Sequence, residues 1–592
     1  MSNRRTGLER QGIGVSLEKP RNQWQTIRRI WRYMRKERLA VIIAIITVLM
    51  FTILQLVGPW LIGVIIDDYI LQKDINGTID MTLILAGTYV AAFAVTYIQT
   101  LSMIFVAQKT IRRLRAQLFQ KLQRLPIRFF DRNQQGDLMS RVTNDIDSLN
   151  MALTQSITQI LSSVLMVVGV AAAMFLLQWR LALVALIVIP LIVFVTKQII
   201  RRSSVNYRAR QRDLGNLNGY IEETISGTEV ITLFGQEQHV SEQFHVKNEK
   251  LRNSALHAET ISGMMGPFNN AMNGIGLTLV IGAGAFFILK GYMTVGVLAA
   301  FVTYTRQFFR PINQLSNLLN VFQAAIAGAE RVFDVLDEDD EPSDKKDAVV
   351  AKQFDGHVTF NNISFSYVDD KPVLKNISLQ ANKGDMIALV GPTGSGKTTI
   401  TNLLTRFYDV DSGTITIDGR NIEDYTMHSL REHVGIVLQD TYLFKGTIRD
   451  NIRFAKLDAT DEEVEEAAKV AYAHQFIRHL PEQYDTMLTS GGTNLSQGQR
   501  QLLAIARAIL EDPHILILDE ATSNVDTRTE VHIQKGLLNL MQGRTSFVIA
   551  HRLKTIEQAT NIYVLQQGAI TEHGTHAELM QQQGFYYDMQ TK

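Results

Sequence analysis

The chain has 592 residues, 46% of them hydrophobic, with 59 Lys and Arg against 58 Asp and Glu. A net charge of +1 gives no global electrostatic case for nucleic acid, so no such partner is expected. The absence of cysteine excludes a disulfide framework, a cysteine-ligated zinc and a cysteine nucleophile.

Residues 22–38 place Trp24, Ile27, Trp31 and Met34 at helical spacing among Arg28, Arg29, Arg32, Arg35, Lys36 and Arg38. This predicts an amphipathic helix lying on the cytoplasmic surface of a membrane. A plain basic juxtamembrane tail is the alternative, and it gives the same orientation. The apolar residues do not form the compact core of a signal peptide.

An uncharged run of about 18 or more apolar residues reads as a membrane helix, because lipid offers backbone groups no partner. Residues 39–66, 82–108 and 153–179 carry no charge. Residues 181–196 follow after only Arg180 and read as the return arm of a tight hairpin. Two further runs, 262–289 and one from 295 onward, are separated by residues 290–294; Arg306 and Arg310 interrupt the last one early. Six spans are expected, the sixth continuing as a helix toward residue 336.

The short loop 67–81 is acidic through Asp67, Asp68, Asp74 and Asp80 and is placed outside, whereas the long basic loops 109–150 and 197–257 are placed inside. Helical periodicity in those long loops predicts membrane helices that project into the cytoplasm, with turns near Gly136 and Gly215. Residues 337–347 are too charged for a core and read as a linker, and from residue 350 short β-branched strands alternate with helical segments. The expected organisation is an N-terminal tail and interfacial helix (1–38), a transmembrane domain (39–336), an acidic linker (337–349) and a soluble α/β domain (350–592).

In the α/β half, the buried-strand run 386–390 leads directly into Gly391-Pro392-Thr393-Gly394-Ser395-Gly396-Lys397-Thr398-Thr399 and then an apolar-periodic helix. This matches G-x-x-x-x-G-K-[ST] in the strand-to-helix context the motif requires. Its glycines let backbone N–H groups close on phosphate oxygens, and the helix that follows presents its positive end. Lys397 supplies a point charge for the β- and γ-phosphates, and the Thr398 hydroxyl suits Mg²⁺. A second strand, 514–518, runs into Asp519 and Glu520. Asp519 is placed for Mg²⁺ and Glu520 to polarise the attacking water; read blandly, Glu520 is an acid at a helix start.

Between these motifs lies Leu495-Ser496-Gln497-Gly498-Gln499-Arg500, which resembles the signature motif of ATP-binding cassette proteins. Other positions fit the same family in order. Tyr367 resembles the aromatic that stacks on adenine, Gln439 the Q-loop glutamine that approaches Mg²⁺ and water, Ser523 to Asp526 the D-loop, and His551 the switch histidine at the γ-phosphate. Each alone has a credible capping or surface role. The resemblance implies ATP and Mg²⁺ as ligands, with Glu520, His551 and Gln439 catalytic and Thr398, Gln439 and Asp519 at the metal.

The membrane half resembles the type I exporters of that superfamily, also called type IV. Residues 129–145 look like the first intracellular loop, whose coupling helix docks on the nucleotide-binding domain, with a second counterpart near 215–224. The implied architecture is an α-helical six-span transmembrane domain fused to an α/β P-loop ATP-binding cassette domain. It would be a multi-pass protein of the bacterial inner membrane, with the cassette and both termini cytoplasmic.

Such cassettes work in pairs, each ATP lying between one phosphate loop and the partner's signature. Here Gln497 stands where glycine is usual, and Thr489 to Thr493 lack the Glu-Arg pair usual in homodimeric exporters, while Lys397, Asp519, Glu520 and His551 are intact. The expected protein is the catalytically competent half of a heterodimer whose partner has a degenerate site, exporting small amphiphilic molecules of the multidrug type. A lipid flippase or a homodimeric exporter shares these motifs. From another class, an ATP-gated channel or non-transporting regulator differs in lacking directional accumulation. Polar residues in or near the spans, among them Gln155, Gln159, Asn269, Asn270 and Asn273, are as readily helix-to-helix contacts as cargo contacts.

Overall fold

The computed structural model describes residues 22–368, 371–439, 441–520, 526–550 and 556–591. Two compact units emerge. One is built from the chain up to Arg124 together with Gln134–Asp339, the other from Leu125–Asn133 and the chain from Asp340 onward.

The first unit is helical. Its main helices are Gln23–Met34, Arg38–Val64, Ile75–Leu122, Ile157–Ser226, Glu237–Gly263, Met265–Leu289 and Val295–Asp337. Their starts follow local chemistry: the Asp74 side chain accepts the N–H of Gly77, and the Thr294 side chain that of Val297, satisfying N–H groups the helix cannot pair itself. Leucine, isoleucine and phenylalanine stay exposed along these helices, as a lipid solvent permits. Threonines within them return their hydroxyls to the preceding turn, Thr47 to Ile43 O at 2.8 Å and Thr305 to Phe301 O at 2.7 Å, which pairs those hydroxyls without water.

Among the described residues, four stretches are long and apolar enough to cross a membrane: Gln23–Ile70, Ile75–Leu122, Gln135–Ile187 and Glu237–Leu289. The expected fourth and sixth spans fall on the far part of Ile157–Ser226 and on Val295–Asp337 and do not join that set. The fourth is the short arm noted above and the sixth carries Arg306 and Arg310; several side chains in both lie outside the description. Where the hairpin was expected, helical geometry is broken at Gln178 (φ −158°, ψ 94°). There the Gln178 amide donates to Tyr292 O at 2.8 Å and the Arg180 guanidinium stands 4.6 Å from the centre of the Tyr292 ring.

The turn expected near Gly215 is not there. Gly215 lies inside Ile157–Ser226, and the chain reverses at Gly235 (φ 61°), between helices Thr228–Leu233 and Glu237–Gly263. A glycine alone, without a turn partner, did not break a helix otherwise made of good helix formers. Gly136 likewise sits within the short helix Gln135–Ser140.

Among the described residues the second unit holds two main sheets and a two-stranded pair, Gly446–Thr447 with Met487–Leu488. One has the order Ala569–Gly574, Asn561–Gln566, Met386–Val390, Thr545–Ala550, Ile515–Glu520, Val434–Val437, parallel except for its first, antiparallel edge strand. The other is antiparallel, built on Leu374–Ala381, Val358–Phe365 and Ser412–Ile417. Strands Met386–Val390 and Ile515–Glu520 are almost continuously apolar because helices and the second sheet cover both faces.

Candidate active site

Register brings the site residues to one edge of the parallel sheet. Leu389 pairs with Ile549, Ile549 with Asp519, Ala550 with Glu520, and Val437 with Leu518. The phosphate loop, the Asp519-Glu520 pair and Gln439 therefore all leave the carboxyl ends of neighbouring strands, where open α/β sheets bind ligands.

The loop after Met386–Val390 needs its glycines. Gly391 has φ 148°, and a Cβ there would stand 2.1 Å from Leu565 O; Gly396 has φ 104° and a Cβ would meet Leu374 Cδ2 at 2.5 Å. At Gly394, φ 80°, a Cβ would meet nothing, so this side of the loop is open. Helix Lys397–Leu404 starts at once, with Gly396 as its left-handed N-cap.

Lys397 is buried, and its ammonium donates to Gly391 O at 2.8 Å and Pro392 O at 3.0 Å, so the loop wraps around the charge. Burial pulls its pKa below the ordinary lysine value and the Asp519 carboxylate opposes that shift. Ser395 Oγ is buried with no partner among the described residues, which fits a ligand oxygen in this loop. Thr393 and Thr398 are exposed at the mouth, and Thr399 is buried.

Tyr367 is tied to this helix from the side. Its hydroxyl donates to Thr399 Oγ1 at 3.2 Å and accepts from Asn402 Nδ2 at 3.4 Å, and its ring meets Phe365 and Tyr408 edge-on at 4.9 and 5.0 Å.

Gln439 is exposed and lines a cavity of about 180 Å³ with Thr441, Gly491, Thr493, Gln497 and Arg500. The structure thus gathers the Q-loop glutamine and Gln497 of the same chain around one hollow, a juxtaposition the separate motifs did not reveal.

Leu495, Ser496, Gln497, Gly498 and Gln499 form the start of helix Gln497–Glu511. Ser496 Oγ accepts Gln499 N–H at 3.2 Å and Gln499 Oε1 accepts Ser496 N–H at 3.0 Å, a reciprocal capping box. Asp526 caps helix Thr527–Met541 by accepting Thr529 N–H at 3.0 Å, and that bond holds its carboxyl below the usual range. Asp519 is half-buried at its strand end. Glu520 closes strand Ile515–Glu520, while Ser523, Asn524, Val525 and His551 lie outside the described residues.

Sequence analysis expected a docking helix within residues 129–145 but not the contacts that Leu125–Asn133 makes. Its helix Ile127–Arg132 belongs to the sheet-containing unit: Arg128 and Arg132 donate to Tyr367 O at 3.2 and 3.4 Å, and the Tyr408 hydroxyl donates to Asp131. Burial, then that carboxylate, push the Tyr408 phenol well above its usual range. The signal was available as Arg, Asp and Arg at 128, 131 and 132, but nothing in sequence pairs them with residues 367 and 408.

Residues 41–312 match the family model of the ABC transporter transmembrane region and residues 374–523 the family model described as ABC transporter. The chain belongs to the ATP-binding cassette transporter family. It is 47% identical over 564 residues to "Uncharacterized ABC transporter ATP-binding protein YfiC" of Bacillus subtilis (strain 168), covering 95% of this chain and 93% of that one. It is 43% identical over 512 residues to "Fatty acid ABC transporter ATP-binding/permease protein" of Mycobacterium bovis, covering 86% and 81%. Among solved structures, a bacterial Atm1-family ABC exporter with ATP bound matches with a TM-score of 0.73 at 29% identity, over 94% of this chain and 98% of that one. This ABC exporter couples an ATPase to transport, with a helical transmembrane region and an α/β cassette on one chain.

Proposed function

We propose that the chain is one half of an exporter of amphiphilic small molecules, of the multidrug type, in the bacterial inner membrane, with six spans and with the cassette and both termini cytoplasmic. The observation that carries the reading is the phosphate loop: open at Gly394, wrapped on Lys397 and adjoining Asp519. ATP would lie with its phosphates along residues 391–399, Tyr367 beside the base, Glu520 as the group that polarises water, Gln439 near Mg²⁺ and that water, and His551 at the γ-phosphate.

The donor set fits Mg²⁺. Thr398 and Asp519 offer oxygen ligands from adjacent elements, Gln439 a third, and phosphate oxygens complete the shell that a hard cation prefers. When bound, the ion offsets charge on the phosphates; Lys397 orients them, and Glu520 holds the proton of the attacking water.

An apolar cargo is supported by a cavity of about 380 Å³ in the helical unit, lined by Leu56, Val57, Trp60, Leu176, Leu177 and Tyr304. A lipid-like cargo is the second reading, favoured by the fatty-acid name of the mycobacterial relative.

Pairing with a different half-subunit, one with a degenerate site, is supported by Gln497 and by Thr489 to Thr493, which lie on the face the family gives to the partner's ATP. Purification alone and with candidate partners tests this: turnover and transport are expected only with a partner, and robust export by the lone chain would establish a homodimer instead.

A further inference from the structure

Helix Gln23–Met34 has two faces with different occupants. One buries Thr26, Ile30 and Met34. Beside them, Tyr33 stacks on Phe333 at 6.1 Å, and the Arg29 guanidinium stands 4.3 Å over the same ring while donating to Asp337 at 2.5 Å. The Asn22 N–H donates to Glu330 at 2.9 Å. This face grips the last turns of helix Val295–Asp337, the element that leads into the acidic segment before the cassette.

The other face is open and holds both of the helix's tryptophans. Trp24 is 84% exposed and Trp31 49% exposed, with Arg28, Arg32, Arg35 and Lys36 exposed among them. The sequence pattern had put Trp24 and Trp31 on one apolar stripe with Met34; the structure gives the buried stripe to Thr26, Ile30 and Met34. Indole rings favour the headgroup layer, where an apolar body and a polar N–H are both satisfied. Cations spaced among them are complementary to phosphate-bearing lipids of net negative charge.

We propose that this face binds anionic lipid headgroups, and that Arg29 is a positioning residue that passes lipid occupancy to the end of helix Val295–Asp337 and thereby raises the ATPase rate. Headgroups hold Arg28, Arg32 and Arg35 at the membrane surface. Through Arg29–Asp337 and Tyr33–Phe333, that anchoring fixes the point from which the chain leaves the helical unit.

The test uses the full chain, with its partner where turnover requires one, in vesicles of phosphatidylcholine with or without phosphatidylglycerol. Brominated forms of each lipid quench Trp24 and Trp31 in a background where Trp60 and Trp179 are Phe. Preferential quenching by brominated phosphatidylglycerol is expected, with the preference falling about fivefold for each cation removed in R28Q/R32Q/R35Q. The charge-keeping R28K/R32K/R35K is expected to retain it, which separates lost charge from lost folding. ATPase is expected to rise with phosphatidylglycerol in the parent, and Arg29→Gln to keep the quenching preference while losing that rise. Equal quenching by the two lipids, or a preference unchanged in the Gln triple, overturns the lipid site; an ATPase rise that survives Arg29→Gln overturns the transmission. Quenching is read without ATP or cargo, so its outcome is independent of whether the chain exports.

Discussion

Lys397 sits buried between the carbonyls of Gly391 and Pro392, so its charge is already desolvated and aimed before any phosphate arrives. Preorganised charge of this kind is worth about 10² to 10³ in rate. Lys397→Ala is therefore expected to lower phosphate release by that factor and to weaken binding of a fluorescent ATP analogue. Glu520→Gln should separate the two effects: ATP binding retained, turnover lowered by about 10² or more. An unchanged rate would place the base on another residue. Glu511 offers a pH-dependent test of the cassette's packing. Burial pushes its carboxyl up to about 7, against the pull of the Arg507 guanidinium, which is itself bound to Asn451 O at 2.9 Å and Tyr442 O at 3.3 Å. A folded pKa above the unfolded value means a contribution fully present below about pH 4.5 and lost as pH rises through about 7. Glu511→Gln is thus expected to stabilise the cassette by on the order of 2 kcal/mol at pH 8 and to change little at pH 4, read from its thermal transition in the full chain.

At the level of elements, the capping box of helix Gln497–Glu511 gives residues 495–499 a structural duty beside the nucleotide-binding one proposed for them. Ser496→Ala removes the acceptor for Gln499 N–H and is expected to cost about 1 kcal/mol, seen as a lower cassette unfolding temperature, in addition to any loss of turnover. The strands that carry the site were legible because buried parallel strands are short apolar runs: Met386–Val390 and the carboxylate-ended Ile515–Glu520 stand where the pattern put them. The break between helices at residues 290–294 was legible for the same reason, a polar interruption of an apolar run. What hid was tertiary. Gly215 reads as a turn, yet helical continuity carried it into Ile157–Ser226. The pairing of Asp131 with Tyr408 joins residues 277 apart, and the cavity shared by Gln439 and Gln497 depends on how a loop and a helix start meet. Trp24 and Trp31 read as part of a membrane-surface helix, but which of its faces the protein buries was not legible in their spacing.

For the whole molecule, the chain unites a helical unit that keeps large apolar side chains exposed with an α/β unit whose sheet ends gather phosphate-binding residues. The segment Leu125–Asn133 lies in sequence between helices of the former yet belongs to the latter's compact body. Cargo movement driven by ATP turnover is the claim that rests on this arrangement. Its most direct test is accumulation of a fluorescent amphiphile in inverted membrane vesicles containing the chain, together with the proposed partner if turnover requires one. The account predicts uphill accumulation that requires ATP and is lost in Glu520→Gln; movement only down the gradient, or accumulation indifferent to that substitution, would contradict it.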